Sequence, residues 1–195
     1  MTRRSQRLIF YTLALGALIL GALVIYLTTG SYVAILIYAV ILLVPGRIGG
    51  LYLKNLFLSR SLLNRSRPAE AIDAGHRLLV ELERQPWRRF FIFCFWGVYT
   101  WNVEAMALNN IGAAYLEMGK LDQSEDYLQR AIEKDASYAI PYANLAIISY
   151  ARGNKMEGNR LINIAKKYGY TGAVEDQIIS KVAAAYANVQ SFRSA

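Results

Sequence analysis

The chain has 195 residues, 55% of them apolar, and 22 Lys and Arg against 14 Asp and Glu give it a formal charge of +8. Its one cysteine, Cys94, excludes an internal disulfide and a cysteine-based zinc cluster, and its one histidine, His76, excludes a histidine-based metal site. The charge is unevenly placed: residues 1–67 carry eight basic and no acidic residues, whereas residues 68–195 carry 14 of each.

In chain order, the first feature is an uncharged stretch from Leu8 to Val44. Leu8–Thr28, as a helix rising ~1.5 Å per residue, would reach roughly 30 Å, the thickness of a bilayer core. A second apolar run, Tyr32–Tyr52, is expected to bend near Pro45-Gly46, with Arg47 reaching for lipid headgroups. Thr29-Gly30-Ser31 leaves room only for a tight turn. A cleaved signal peptide fits the first run badly, because another apolar run follows at once. Residues 1–54 therefore read as a two-helix transmembrane hairpin, with spans at about 8–28 and 32–52. Basic residues before the first span and after the second put both termini in the cytoplasm, with the hairpin in the plasma (inner) membrane. Positive charge beside apolar spans points to anionic lipid headgroups as a partner, and no nucleic acid is expected. Ala17-x-x-x-Gly21 could pack helix on helix.

The second half repeats itself. Residues 105–138 align with 139–172 at an offset of 34, so that Asn110 falls on Asn144, Gly112 on Ala146, Gly119 on Gly153 and Ala131 on Ala165. Each unit has two apolar patterns of helical period around a glycine break. The first unit reads Leu108-x-x-Ile111-Gly112-x-x-Tyr115-x-x-x-Gly119, then Ser124, Leu128 and Ala131. The second keeps Tyr142, Leu145, Ala146, Gly153, Ile162 and Ala165, with Ser149 and Gly158 as departures. In these residues the chain resembles the tetratricopeptide repeat family. The physical logic follows: Gly112 and Ala131 let two helices approach, Tyr115 fills the gap beside them, and Gly119 ends the first helix with positive φ. Ser66-x-x-x-x-Ala71 with Leu78 and Leu82 is similar to the second half of a further, degenerate unit, whose first helix would be 55–64. Ala173 to Gln190 reads as a closing helix, since Val174, Ile178, Val182, Ala185 and Val189 recur at helical spacing. The expected fold is all-α: the hairpin, then a short tetratricopeptide-like α-solenoid over 55–195 that ends in the closing helix.

Between the degenerate unit and the first good one lies an aromatic insert, 87–101, with Trp87, Phe90, Phe91, Phe93, Phe95, Trp96, Tyr99 and Trp101. Three readings compete: burial in the domain, insertion into a bilayer interface with Arg88 and Arg89 on phosphates, or a binding hot spot for a partner. For the last two, the candidates are Trp87, Arg88, Arg89, Phe93, Trp96 and Trp101.

No phosphate loop, triad or metal cluster is present, so no catalytic residues, metal or cofactor are expected and the chain does not read as an enzyme. The resemblance implies a groove lined by the first helix of each unit. Helical spacing places Met106, Asn109, Asn110, Ala113, Leu116 and Glu117 on it, then Ile140, Ala143, Asn144, Ile147 and Tyr150. Asn110 and Asn144 could instead bond neighbouring backbone. The function this implies is a membrane-anchored adaptor or scaffold that binds protein partners at the cytoplasmic face. Two alternatives stay open: a small regulatory or immunity-type protein acting through the hairpin on another membrane protein, or a carrier of lipid or another apolar ligand.

Overall fold

The computed structural model describes residues 3–95 and 100–171, whose regular elements are all helices. In order they form α1 (Arg3–Thr29), α2 (Tyr32–Tyr52), α3 (Lys54–Asn64) and α4 (Pro68–Arg84). A 3-10 segment (Pro86–Cys94) follows, and then α5 (Val103–Glu117), α6 (Leu121–Lys134), α7 (Ala139–Ala151) and α8 (Lys155–Lys167). Trp96 and the expected closing helix fall outside the described residues.

α1 and α2 form an antiparallel hairpin. The Thr28 and Thr29 hydroxyls bond back to carbonyls one turn earlier, and Gly30, at φ +60°, donates its N–H to Tyr26 O at 2.8 Å. Tyr26 and Tyr32 meet across the turn with ring centroids 5.4 Å apart. Of the small pair singled out in α1, Gly21 lies directly under Tyr38 of α2, whereas Ala17 is exposed.

The assignment of this hairpin to the membrane is corrected. Among the described residues no helix is long and apolar enough to cross a membrane, which removes the two spans, their plasma (inner) membrane location and the cytoplasmic placement of the termini that rested on them. The end of α2 belongs to the domain that follows. Gly49 is buried beneath Phe91 and Phe95, where an added Cβ would sit 3.3 Å and 3.2 Å from their side chains, and Leu53, just past α2, is fully buried. From Tyr32 to Arg47, both included, there are 16 residues, or ~24 Å of helix against a core of ~30 Å.

From α3 onward the helices pair in sequence, α3 with α4, α5 with α6 and α7 with α8, and successive pairs stack. Each pair is built around the same turn. Lys120 N–H reaches Tyr115 O, Asn154 N–H reaches Ser149 O, and Arg67 N–H reaches Leu62 O, at 2.9, 2.9 and 3.0 Å. This six-residue bond requires a left-handed residue within it. Gly119 and Gly153 supply it with φ +71° and +80°, and α8 ends the same way at Gly169, φ +92°. In the α3–α4 turn the position is held by Ser66, φ +55°, the one non-glycine residue with positive φ among those described. The α3–α4 pair thus closes with the same turn as the two pairs that follow, and the insert lies between it and α5.

Ser66→Gly should therefore relieve roughly 1–2 kcal/mol of left-handed strain and lose roughly 0.4–1 kcal/mol to unfolded-state entropy, a net gain of about 0.5 kcal/mol. Ser66→Val, β-branched at the same φ, should destabilise by about 1–2 kcal/mol. Urea midpoints of the two variants should move in opposite directions from wild type.

The crossings within pairs are close because small residues and hydroxyls line them. A Cβ on Gly112 would lie 2.8 Å from Leu128 Cγ and 3.2 Å from the backbone oxygen of Ser124. Ser124 Oγ donates to Gly112 O at 2.7 Å, and in the α3–α4 pair Ser59 Oγ donates to Ala71 O at 2.9 Å, both fully buried. Satisfied hydroxyls of this kind keep the desolvation cost of a polar crossing small. Ala131, Ala146 and Ala165 are buried at the matching places. Three apolar clusters result. One joins α6, α7 and α8 through Leu128, Ala146, Ile148 and Ile162. One joins Leu62, Ala71, Ala74 and Ala114. The third joins Leu53, Leu56, Leu78, Leu82, Val103 and Ala107 around Ile92 of the insert.

Candidate functional site

Two surfaces come from the residues singled out in the sequence. The first is the α5–α7 face. The side-chain amide of Asn144 donates to Asn109 Oδ1 at 3.1 Å, tying α7 to α5 across it. Asn144 thus bonds a neighbouring asparagine, and the backbone role expected for it is not the one observed. Asn109, Asn110, Ala143 and Ile147 are buried, at 4%, 5%, 3% and 6% exposure, and so offer little to a ligand. Met106, Ala113, Leu116, Ile140 and Asn144 are half-buried, and Glu117 is exposed. Met106 leans on the Ile92 cluster and Leu116 on the α6–α8 cluster. Tyr150 turns towards α8, where its ring covers Gly158 and its hydroxyl donates to Asn159 Oδ1 at 2.6 Å. It belongs to the α7–α8 crossing.

Tyr115 is half-buried and stacks on Tyr127 of α6 with ring centroids 5.5 Å apart. Tyr127 in turn meets His76 of α4 edge to face at 5.7 Å, its hydroxyl 3.3 Å from Nε2. Burial, then the neighbouring Tyr115, raises the Tyr127 pKa above its ordinary value. His76 is thus part of a short aromatic column joining α4, α6 and α5, a contact the sequence reading did not anticipate.

The second surface is the insert. Three residues per turn in a 3-10 helix put positions i and i+3 above one another, so the segment has three distinct faces. Ile92 is fully buried, and Phe91 and Phe95 pack beside it on the same cluster. Phe91 stacks on Tyr52 at 4.9 Å, and Phe95 meets Phe57 at 4.8 Å. Trp87, Phe90 and Phe93 form the outward stripe, 46%, 65% and 60% exposed. Burial and exposure thus divide the segment between them. Arg88 pairs with Glu81 of α4 at 2.9 Å and lies over the Tyr52 ring, which pins the segment to the domain. Arg89 pairs with Glu104 at the start of α5, and Lys134 at the end of α6 reaches the same carboxylate at 2.9 Å.

Trp101 is 48% exposed and stacks on Phe93 with centroids 5.3 Å apart. The chain is fixed beyond it by Asn102, whose side chain caps α5 by accepting from Ala105 N–H at 3.0 Å and donates to Lys134 O at 2.9 Å. Phe90, Glu104 and Lys134 were not among the sequence candidates. The spacing of three in Trp87, Phe90 and Phe93 carried the signal for the first of them.

Comparison with known proteins accords with the repeat. Residues 105–138 match the family model described as the tetratricopeptide repeat. They span α5, α6 and the turn to α7. No curated protein and no solved structure gave a match.

Proposed function

We propose that the chain is an adaptor that holds a protein partner along the α5–α7 face of its repeat stack. The observation that carries this reading is the match of residues 105–138 to a repeat whose helix pairs bind proteins, set in a stack where the next pair follows at the same period. The partner would lie against Met106, Ala113, Leu116, Glu117, Ile140 and Asn144, the members of that face with exposed atoms. Asn109, held by Asn144, keeps the two helices in register beneath it. The apolar character of the face suits an amphipathic or extended apolar segment.

A second reading places the partner on the hairpin. Leu27 and Leu36 are 72% and 65% exposed there, as apolar patches at binding surfaces are. One experiment separates the two. A photoreactive phenylalanine analogue is placed in the full chain at Ala113, at Leu36, or at Glu133 on the exposed side of α6. Protein adducts confined to position 113 are the expected result. Adducts at 36 alone would transfer the function to the hairpin, and equal yields at 113 and 133 would remove the groove reading.

A further inference from the structure

The first helix of the stack, α3, presents two unlike sides. Asn55, Leu56, Ser59 and Leu62 are buried where it packs on α4 and α5. Lys54, Phe57, Leu58, Arg60 and Arg65 lie on the other side, all exposed. Lys54, Leu58 and Arg65 fall at i, i+4 and i+11, a stripe about three turns long, and Phe57 and Arg60 flank it. Phe57 and Leu58 keep 39% and 43% of their surface in solvent, and Ile48 and Leu51, at the end of α2, keep 40% and 71%.

The charge on this side has one sign. Residues 1–67 contain no Asp or Glu. Among the described residues, Lys54, Arg60 and Arg65 pair with no carboxylate. On the adjoining α4, Glu70 is gripped through both oxygens by Arg67, and Glu81 is held by Asn55 and Arg88. Three free cations on one helix repel one another, and an anionic surface relieves that repulsion.

We propose that the outer side of α3 docks on an anionic phospholipid surface. Lys54, Arg60 and Arg65 meet the headgroup charges, and Phe57 and Leu58 dip between them towards the acyl chains. The apolar pair favours a bilayer over a nucleic acid, whose phosphates would engage the cations and leave Leu58 in water. Contact of this kind stays in the headgroup layer and needs no helix that crosses the membrane. It leaves the α5–α7 face free, because α3 meets α5 with its buried side.

The test uses the full-length chain and vesicles of phosphatidylcholine, with or without about a third of phosphatidylserine, read by co-sedimentation. Binding should be about ten-fold or more tighter on the anionic vesicles, and the difference should shrink as salt rises from about 0.1 M to about 0.5 M. Lys54→Glu with Arg60→Glu and Arg65→Glu should abolish the preference while circular dichroism stays that of wild type. Lys155→Glu with Lys166→Glu and Lys167→Glu makes the same charge change on exposed residues of α8 and should alter binding by less than about three-fold. Leu58→Ser should weaken binding to anionic vesicles by about three-fold or more. Equal binding to the two kinds of vesicle, or an equal loss in the α8 variant, would overturn the proposal. So would a single-stranded oligonucleotide that displaces the chain from anionic vesicles and binds Leu58→Ser as well as wild type, since the face would then belong to nucleic acid.

Discussion

Gly112→Leu should lower the stability of the full chain by about 3 kcal/mol or more, seen as a large fall in the urea midpoint. The reason is the identity of the atoms that the new side chain meets. Leu128 Cγ, 2.8 Å from an added Cβ, could in part be moved by a rotamer change. The backbone oxygen of Ser124, 3.2 Å away, could move only with the whole of α6, and the Ser124–Gly112 hydrogen bond would break as it moved. Gly50 provides the control. It too is helical, but an added Cβ meets nothing within 4 Å. Gly50→Ala should therefore gain up to about 1 kcal/mol from helix propensity. If Gly112→Leu melted with wild type, the register of the α5–α6 pair would be wrong.

Two neighbours in the 3-10 segment should behave in opposite ways. Ile92 is fully buried among Leu53, Leu56, Leu78 and Val103, and Ile92→Ala should cost about 2–5 kcal/mol through lost transfer energy and the cavity it leaves. Phe93 is the larger residue but is 60% exposed, and its contact is the stack on Trp101. Phe93→Ala should cost less than about 1 kcal/mol. Urea midpoints of the two variants decide the matter. Equal losses would mean that the face pointing into the core has been misassigned.

The repeat could be read from sequence because it rests on residue types with few substitutes. A left-handed turn residue must be glycine or tolerate strain, and a close crossing needs a small residue. Gly119, Gly153, Gly112 and Ala146 therefore showed their roles in their identities. The same logic extends to Ser66, the strained stand-in that marks the α3–α4 pair. The insert could be read only in part. From Phe90 to Cys94 every residue is apolar, so hydropathy alone marks no inward or outward face. At the 3-10 period of 3.0 the same residues separate into Ile92 within and Phe90 and Phe93 without. The groove was overdrawn for a different reason. Helical spacing says which residues share a face, but the depth of the neighbouring helix decides whether that face reaches solvent, and Asn109, Ala143 and Ile147 lie too deep. The hairpin was misread because hydropathy cannot tell Gly49 and Leu53 lying against aromatic rings from the same residues lying against lipid chains.

Leu53 has a consequence for how force would travel through the molecule. It ends α2 and begins α3, and it is fully buried in the cluster that also holds Ile92 and Val103. Tyr52, one residue earlier, is clasped by Phe91, Trp87 and the Arg88 guanidinium. A load applied at the Gly30 tip of the hairpin therefore has no slack linker to stretch before it reaches the repeats. It arrives at the 3-10 segment as torque on a short, stiff arm. The exposed rings of Phe90 and Phe93 stand on that same segment, so they would turn with it.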